Sequence, residues 1–351
     1  MDLIHKLMNI IVPPLGLTML LFFLPTYLFF KLLISTIKSI FSEDVAGKVI
    51  LITGASSGIG EHLAYEYARR GAFLALIARR ENRLREVAST AYQLGSPEVI
   101  VIPADVSKVE DCKRFVDETA EHFGQLDHLV NNAGITPVCI FEQAPDITNL
   151  RPAMDVNFWG AVYATYFAVP HLKRSKGKIV TIASSAAWLP APRLSFYTAS
   201  KAAVLSFFET LRVELGGDIG ITIVTPGLIE SEMTQGKFLS EEGQMVLDPE
   251  MRDILVSIMP IEPVGKCAKA IVDGACRGEK YLTEPAWMRV TYFWKVFCPE
   301  ILEWCNQLLL TRPGSDSERD TPSKRLLDLT GLKKYIYPES VQFPELKAAT
   351  G

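Results

Sequence analysis

The fold is decided by Thr53-Gly54-Ala55-Ser56-Ser57-Gly58-Ile59-Gly60. This stretch follows an apolar run at residues 48–52 that is typical of a buried strand, and helical periodicity begins at its end, over residues 59–70. Glycine at 54, 58 and 60 permits a tight turn, and the helix that follows presents its positive N-terminal end to a phosphate. A strand, a glycine-rich turn and a helix in this order predict a dinucleotide-phosphate site.

Short apolar runs alternate with helix-like segments on either side of this turn. The other predicted strands are residues 73–77, 99–103, 128–130, 177–182 and 219–224, and the other predicted helices are residues 81–94, 109–123, 153–174 and 195–215. Val- and Ile-rich strands separated by amphipathic helices indicate an α/β fold with a doubly wound parallel sheet of the Rossmann type. We therefore expect a single catalytic domain over residues 44–285, followed by an aromatic C-terminal extension over residues 286–351.

The second predicted strand decides which nicotinamide cofactor the turn would accept. An NAD site needs a carboxylate at the end of this strand for the ribose hydroxyls, but the sequence there is Ala78-Arg79-Arg80. Guanidinium groups match a ribose phosphate with charge-assisted hydrogen bonds, and Ser56 and Ser57 add hydroxyl donors. The sequence therefore favours NADP(H) over NAD(H). The alternative is that the two arginines only begin the next helix.

A tyrosine and a lysine four residues apart, Tyr197 and Lys201, share one face of the predicted helix 195–215. An ammonium group beside a phenol favours the phenolate, so we expect a lowered tyrosine pKa. Tyr197 would then exchange a proton with a substrate oxygen. A tyrosine and a lysine at this spacing are common by chance. The catalytic interpretation of the pair therefore depends on the other motifs of the sequence.

Together these motifs resemble the short-chain dehydrogenase/reductase family over roughly residues 45–285. The T-G-x-x-x-G-x-G turn and Asn131-Asn132-Ala133-Gly134 have the family's form. The resemblance implies that Asn132, Ala133 and Gly134 support the sheet and the cofactor, and that Asp105 and Val106 contact the adenine. It also implies nicotinamide contacts from the segment that contains Pro226, Gly227, Ile229 and Ser231.

The same resemblance supplies the rest of a catalytic set. Ser184 lies thirteen residues before Tyr197, where the family has the serine that hydrogen-bonds the substrate oxygen. The spacing favours Ser184 over the adjacent Ser185. Asn157 matches the fourth residue of the family's catalytic set. The resemblance implies that this asparagine holds a water that links Lys201 to solvent. Ser184 and Tyr197 are therefore the expected substrate contacts, and no metal ligand set is expected.

The N-terminal 43 residues have a different character. Residues 10–30 contain no charged side chain, and a straight helix of this length would reach about 31 Å, enough to cross a bilayer core. Pro13 and Pro14 lie near its start and Pro25 lies inside it, where proline should kink or break a helix. Amphipathic flanks on both sides favour a monotopic hairpin. A single-span signal anchor is the alternative, and the absence of a small-residue cleavage site disfavours a cleaved signal peptide.

A proline-bearing apolar segment joined to this dehydrogenase core resembles the plant steroleosins of seed oil bodies, which are named as 11β-hydroxysteroid dehydrogenase-like. Pro13, Pro14 and Pro25 would form their proline knob. The resemblance implies a steroid or sterol-like substrate, and a cytosol-facing catalytic domain on a lipid droplet or the endoplasmic reticulum membrane. A homodimer is expected by analogy with the fold. Alternatives are another lipid carbonyl, such as a retinoid or a keto-sphingoid, or a droplet surface protein with a dehydrogenase scaffold.

Two further segments bear on the substrate. Residues 232–260 are expected to form a lid, and their apolar side chains suit a lipid. The aromatic residues 287–304 are expected to pack as helices on the core, with a lid, a dimer surface or a second membrane contact as alternatives. The net charge of −4, without a basic stripe, argues against nucleic-acid binding, and six cysteines without a CxxC pair are expected as free thiols.

Overall fold

The computed structural model describes residues 2–40, 42–311 and 319–342 of the 351-residue chain. The chain divides into two compact units, with the boundary between Glu43 and Asp44. Each unit has its own architecture and is described separately.

The first unit consists of one helix, α1 (Asp2–Ile40), of 39 residues. It continues through Pro13, Pro14 and Pro25, so the predicted hairpin is wrong for this structure. A proline removes one backbone donor and strains only the turn before it, and the long apolar stretches on either side keep the other helical hydrogen bonds. Its stretch Asp2–Ile34 is long and apolar enough to cross a membrane, with a mean hydropathy of 2.1 and no buried side chain in its most apolar window. A signal sequence near the N-terminus can have the same length and apolar composition.

The second unit alternates strands and helices as predicted. Its elements are β1 (Val49–Thr53), α2 (Gly58–Ala68), β2 (Phe73–Ala78), α3 (Glu81–Gln93), β3 (Val99–Pro103), α4 (Val109–Phe123), β4 (His128–Asn131), α5 (Pro152–Met154), α6 (Gly160–Ser175), β5 (Lys178–Ile182), α7 (Ser195–Leu215), β6 (Gly220–Pro226), β7 (Lys237–Leu239), β8 (Met245–Leu247), α8 (Pro249–Val256), α9 (Val264–Cys276), β9 (Tyr281–Glu284), α10 (Arg289–Phe297), α11 (Pro299–Leu310), α12 (Pro322–Thr330), α13 (Lys333–Ile336) and α14 (Glu339–Gln342).

Seven of these strands form one parallel sheet in the order β3-β2-β1-β4-β5-β6-β9. Apolar side chains of the central strands alternate between two buried clusters, one beneath α2, α3 and α9 and one beneath α4, α6 and α7. The doubly wound Rossmann-type sheet predicted from the sequence is thereby confirmed. In such sheets the strand order reverses between the first and fourth strands, and ligands bind at the carboxyl edge near that point.

Residues 232–260 contain structure that the sequence did not predict. β7 and β8 form a small antiparallel hairpin, and α8 follows it. The backbone of Leu239 also hydrogen-bonds Thr136 and Val138, in the loop after β4. The hairpin is therefore held beside the carboxyl edge of the sheet.

The C-terminal helices divide into two groups. The first group, α10 and α11, has no buried residue, and several aromatic side chains are about half exposed, including Phe293, Trp294 and Trp304. The second group, α12 to α14, buries Leu327 and Val341 in a cluster with the end of α8. The aromatic residues 287–304 do form the expected helices, but α10 and α11 contact the core at part-buried positions, such as Thr291 beside Trp188, and leave an apolar aromatic surface.

Candidate active site

The glycine-rich turn after β1 is locked to the loop after β4. The side-chain amide of Asn132 donates to the carbonyl oxygens of Thr53 and Gly54 at 3.0 and 3.1 Å. The Oγ1 of Thr53 accepts hydrogen bonds from the backbone amides of Asn132 and Ala133. These bonds fix two neighbouring strand ends, which is the part of the predicted supporting role that concerns the sheet.

The three glycines of the turn, Gly54, Gly58 and Gly60, lie where a side chain would be too close to neighbouring atoms. Gly54 and Gly58 have φ of +67° and +59°, a region that other residues rarely adopt. A Cβ at Gly54 would lie 2.7 Å from the Cα of Ala133, and one at Gly60 would collide with the Asn132 amide and the Gly54 carbonyl. A Cβ at Gly58 would lie 3.2 Å from the Cβ of Ser231. The turn therefore has the bare backbone that a dinucleotide phosphate requires at the start of α2.

Asn157 lies in a π-helical turn, Asp155–Trp159, between α5 and α6. Its side chain is buried, and its amide donates to the carbonyl of Ile135 and the hydroxyl of Ser200, both at 2.9 Å. Its Oδ1 accepts from the backbone amide of Ile135 at 2.8 Å. Single π turns are frequent at functional sites because the extra residue reorients one side chain. Here the turn carries the asparagine that the sequence singled out.

Lys201 extends from α7 toward the same region. Its Nζ donates to the carbonyl oxygen of Ile182 at 2.9 Å, at the end of β5. Burial disfavours the charged form and lowers the pKa of Lys201 to about 8. A Cβ at Gly134 would lie 3.4 Å from the lysine Nζ and 3.3 Å from the Oδ1 of Asn157, so this glycine lies between the two groups.

Tyr197 is buried one helical turn before Lys201, whose Nζ lies 5.9 Å from the centre of the phenol ring. Burial raises the tyrosine pKa, while hydrogen bonds with Ser184 and Thr136 oppose this rise. The expected lowering of the tyrosine pKa is therefore wrong for this structure, because the ammonium is bonded elsewhere and desolvation dominates. A neutral phenol at this position is able to donate a proton.

Ser184 lies two residues beyond the end of β5, and its Oγ accepts from the backbone amide of Ala186 at 3.1 Å. The same hydroxyl is a hydrogen-bond partner of Tyr197. Ser185 is also buried, and it begins the short 3₁₀ turn Ser185–Ala187. The structure thus brings Ser184 together with Tyr197, in agreement with the spacing argument.

The two predicted phosphate-binding arginines have different surroundings. Arg80 donates to the hydroxyls of Ser56 and Ser57 at 3.2 and 2.9 Å, so these three predicted residues converge. Its other terminal nitrogen donates to a carboxylate oxygen of Glu232 at 2.7 Å. The side chain of Arg79 is exposed to solvent at the same strand end. Arg80 is therefore bonded to the glycine-rich turn, whereas Arg79 is not buried against it.

The remaining predicted cofactor residues line the same edge of the sheet. Asp105 follows β3, and its carboxylate accepts from the hydroxyl and the amide of Ser107. Its neighbour Val106 is buried and packs against Gly160. After β6, the amide of Gly227 donates to the carbonyl of Glu284 at 2.7 Å. The full set of predicted residues on this edge is Asp105, Val106, Asn132, Ala133, Gly134, Pro226, Gly227, Ile229 and Ser231.

Two residues at the site were missed by the sequence argument. Thr136 hydrogen-bonds Tyr197, and its hydroxyl lies 2.8 Å from the sulfur of Met233. Glu232 pairs with Arg80 and also with Lys237, at 2.7 Å each. Thr136 could have been proposed from its place two residues after Gly134, whereas the Glu232 pair joins positions that are 152 residues apart.

Comparisons with known proteins agree with this geometry. The profile of the family described as short chain dehydrogenase matches residues 48–242. The 11-beta-hydroxysteroid dehydrogenase A of Sesamum indicum is 58% identical, with 99% of each chain covered. The 11-beta-hydroxysteroid dehydrogenase 1A of Arabidopsis thaliana is 57% identical over 99% of this chain and 100% of its own length.

The chain belongs to the short-chain dehydrogenase family. It is accordingly an oxidoreductase, and its closeness to plant proteins named as hydroxysteroid dehydrogenases confirms the resemblance drawn from the motifs. Among solved structures, an alcohol dehydrogenase from the archaeon Thermococcus sibiricus, complexed with 5-hydroxy-NADP, matches with a TM-score of 0.56. That match has 26% sequence identity and covers 67% of this chain and 94% of the archaeal one. The fold of this short-chain dehydrogenase is therefore shared with a protein whose structure holds 5-hydroxy-NADP.

Proposed function

We propose that this short-chain dehydrogenase is an NADP(H)-dependent enzyme that interconverts a hydroxyl and a ketone on a steroid or sterol-like lipid at a lipid surface. The observation that carries the chemistry is the convergence of Ser184, Tyr197 and Lys201 with the buried Asn157 beside the glycine-rich turn. The names of the plant relatives support the substrate class.

The proposed roles follow from the contacts. NADP(H), when bound, would supply or accept the hydride. Ser184 and Tyr197 would bind the substrate oxygen, and the neutral phenol would donate its proton to a ketone oxygen during reduction. Lys201, whose pKa of about 8 lies close to working pH, would return that proton from solvent with Asn157 as its relay partner. Gly54, Gly58 and Gly60 would hold the pyrophosphate against the start of α2.

The NADP(H) preference is supported by the position of Arg80, whose guanidinium donates to the hydroxyls of Ser56 and Ser57. The end of β2 carries arginines where an NAD site would need a carboxylate. We expect Arg80→Ala to raise the KM for NADPH much more than that for NADH, and Arg79→Ala to have a smaller effect because Arg79 is exposed. Equal effects of Arg80→Ala on both cofactors would contradict the assignment.

Attachment to a lipid surface is proposed from α1, whose apolar side chains are exposed from Leu3 to Ile37. We place it in the endoplasmic reticulum membrane or on a lipid droplet, with the catalytic unit facing the cytosol. Full-length protein should float with lipid vesicles and with phospholipid-coated oil droplets after an alkaline carbonate wash, whereas a variant with lysine at Leu17, Leu21 and Phe29 should not. Release of the wild type by carbonate would contradict integral attachment.

The substrate class is tested by a panel of steroid, sterol, retinoid and keto-sphingoid alcohols and ketones, offered with each cofactor and followed by nicotinamide absorbance. We expect turnover of steroid substrates with NADP(H). Turnover restricted to another lipid class would replace the substrate proposal while leaving the chemistry intact. No turnover with any lipid alcohol or ketone would favour a scaffold role at the lipid surface.

A further inference from the structure

A carboxylate competes for the guanidinium that the proposed cofactor site needs. One terminal nitrogen of Arg80 donates to Ser56 and Ser57, and the other donates to Oε1 of Glu232 at 2.7 Å. The second carboxylate oxygen of Glu232 accepts from Lys237, also at 2.7 Å. Burial would raise the pKa of Glu232, but hydrogen bonds from Arg80 and Lys237 outweigh it and lower the pKa. The carboxylate is therefore charged at neutral pH.

Glu232 also begins the segment that leads into β7. The backbone amides of Gln235, Gly236 and Lys237 donate to the carbonyls of Ser231, Met233 and Glu232, which closes a compact turn. β7 follows directly and is held beside the loop after β4. The next side chain after Glu232 is Met233, whose sulfur contacts the Thr136 hydroxyl. Two adjacent residues thus connect the Arg80 region with the surroundings of Tyr197.

We propose that Glu232 is a specificity-determining residue that occupies the place of the cofactor's ribose 2′-phosphate, and that its displacement by this phosphate loosens the turn over residues 231–237. This inference rests on the proposed NADP(H) function. A dianionic phosphate and a carboxylate repel each other, so both cannot use the Arg80 guanidinium at once. When Arg80 leaves it, Glu232 keeps only its pair with Lys237 inside the turn, so the turn loses its ion pair to the region of Arg80 and is held less firmly there. A cofactor without the 2′-phosphate has no charge to displace Glu232.

The first test uses adenosine 2′,5′-bisphosphate and adenosine 5′-monophosphate as probes, with binding measured by calorimetry on detergent-solubilised full-length protein. Glu232→Gln keeps the size of the side chain and removes its charge. We expect it to tighten binding of the bisphosphate by about fivefold, the effect of a partly exposed ion pair, and to change binding of the monophosphate by less than about twofold. The matched control is Glu242→Gln, because Glu242 lies in the same segment and its carboxylate bonds the nearby Ser240 hydroxyl rather than Arg80. This control should bind both probes as the wild type does.

The second test needs no variant. Backbone hydrogen exchange of residues 231–247 in wild-type protein should accelerate when the bisphosphate is added and stay unchanged with the monophosphate. In Glu232→Gln the same amides should exchange quickly without any probe. Unchanged or slower exchange in this segment upon bisphosphate binding would overturn the inference, even if the variant did not fold.

The two proposals fail in different ways. If Arg80→Ala weakens the bisphosphate selectively but Glu232→Gln binds both probes as the wild type does, the NADP(H) proposal stands and the role of Glu232 is refuted. If the wild type does not distinguish the two probes and Arg80→Ala affects both equally, the phosphate site itself is absent and both proposals fall.

Discussion

Replacing Lys201 with methionine should make the protein more stable and at the same time inactive. Burial lowers the pKa of Lys201 from 10.5 to about 8. The gap between these values corresponds to about 3 kcal/mol of destabilisation of the charged folded form, at ~1.4 kcal/mol per pH unit. Methionine has a similar length and no charge, so it removes this cost. The lost bond to the Ile182 carbonyl offsets the gain by about 1–2 kcal/mol, which leaves a net stabilisation of about 1–2 kcal/mol at pH 7.

The lowered pKa of Lys201 also predicts how the stability of the folded protein changes with pH. A lysine with a lowered pKa binds its proton less tightly in the folded protein than in the unfolded chain. The cost is therefore fully present below about pH 8, and it is relieved as the pH rises from about 8 to 10.5. The stability advantage of Lys201→Met over the wild type should accordingly be largest at neutral pH and shrink above pH 8.

The assay is denaturant unfolding of cofactor-free, detergent-solubilised full-length protein at neutral and at alkaline pH, with steroid turnover measured in parallel. Turnover should fall by about a hundredfold or more. Lys178→Met is the matched control, because the Lys178 ammonium donates to the Ala275 and Cys276 carbonyls and its loss should destabilise the protein. A lower stability of Lys201→Met than of the wild type at neutral pH, or a stability difference that does not change with pH, would refute the proposed cost of the buried ammonium.

Three further substitutions test other parts of the site. Gly54→Ala should abolish nicotinamide binding in a calorimetric titration, because its φ is +67° and the added Cβ would lie 2.7 Å from a backbone atom. Near-normal binding would contradict the proposed role of the glycine-rich turn in holding the pyrophosphate. Ser184→Ala should lower kcat by roughly a hundredfold, while Ser185→Ala should change it only slightly, and the reverse order would exchange their roles. Thr136→Val removes a bond that opposes the raised pKa of Tyr197, so the alkaline limb of the pH profile for ketone reduction should move to higher pH; a shift to lower pH would contradict this contact.

The strands and helices around the glycine turn could be predicted because their patterns are local. β3 and α4 begin and end where periodicity placed them. β9 was missed because Tyr281–Glu284 is short and mixes apolar and polar side chains, and it becomes a strand only by pairing with β6. The hairpin prediction for α1 failed because proline weakens a helix locally without ending it when long apolar stretches continue on both sides.

In the candidate site, too, residues in local motifs could be predicted from the sequence, whereas pairs of residues from distant segments could not. Tyr197, Lys201 and Ser184 could be placed because the first two lie on one helix and Ser184 lies just after a strand. The helix register at the end of β2 decides that Arg80 rather than Arg79 reaches the serines, and spacing alone does not show this. The pairing of Arg80 with Glu232 joins distant segments and needs the folded chain.

The proposed reduction of a steroid ketone, with Tyr197 as proton donor, is tested most directly by comparing the wild type with Tyr197→Phe. The assay uses full-length protein reconstituted in vesicles and each reduced nicotinamide cofactor. Phenylalanine keeps the ring and removes only the hydroxyl that would donate the proton. Tyr281→Phe, a change at the far edge strand, is the matched control. The wild type and the control should reduce the ketone with NADPH in preference to NADH, and Tyr197→Phe should lose about a thousandfold or more in kcat with cofactor binding preserved. Turnover by Tyr197→Phe at the wild-type rate would contradict the claim.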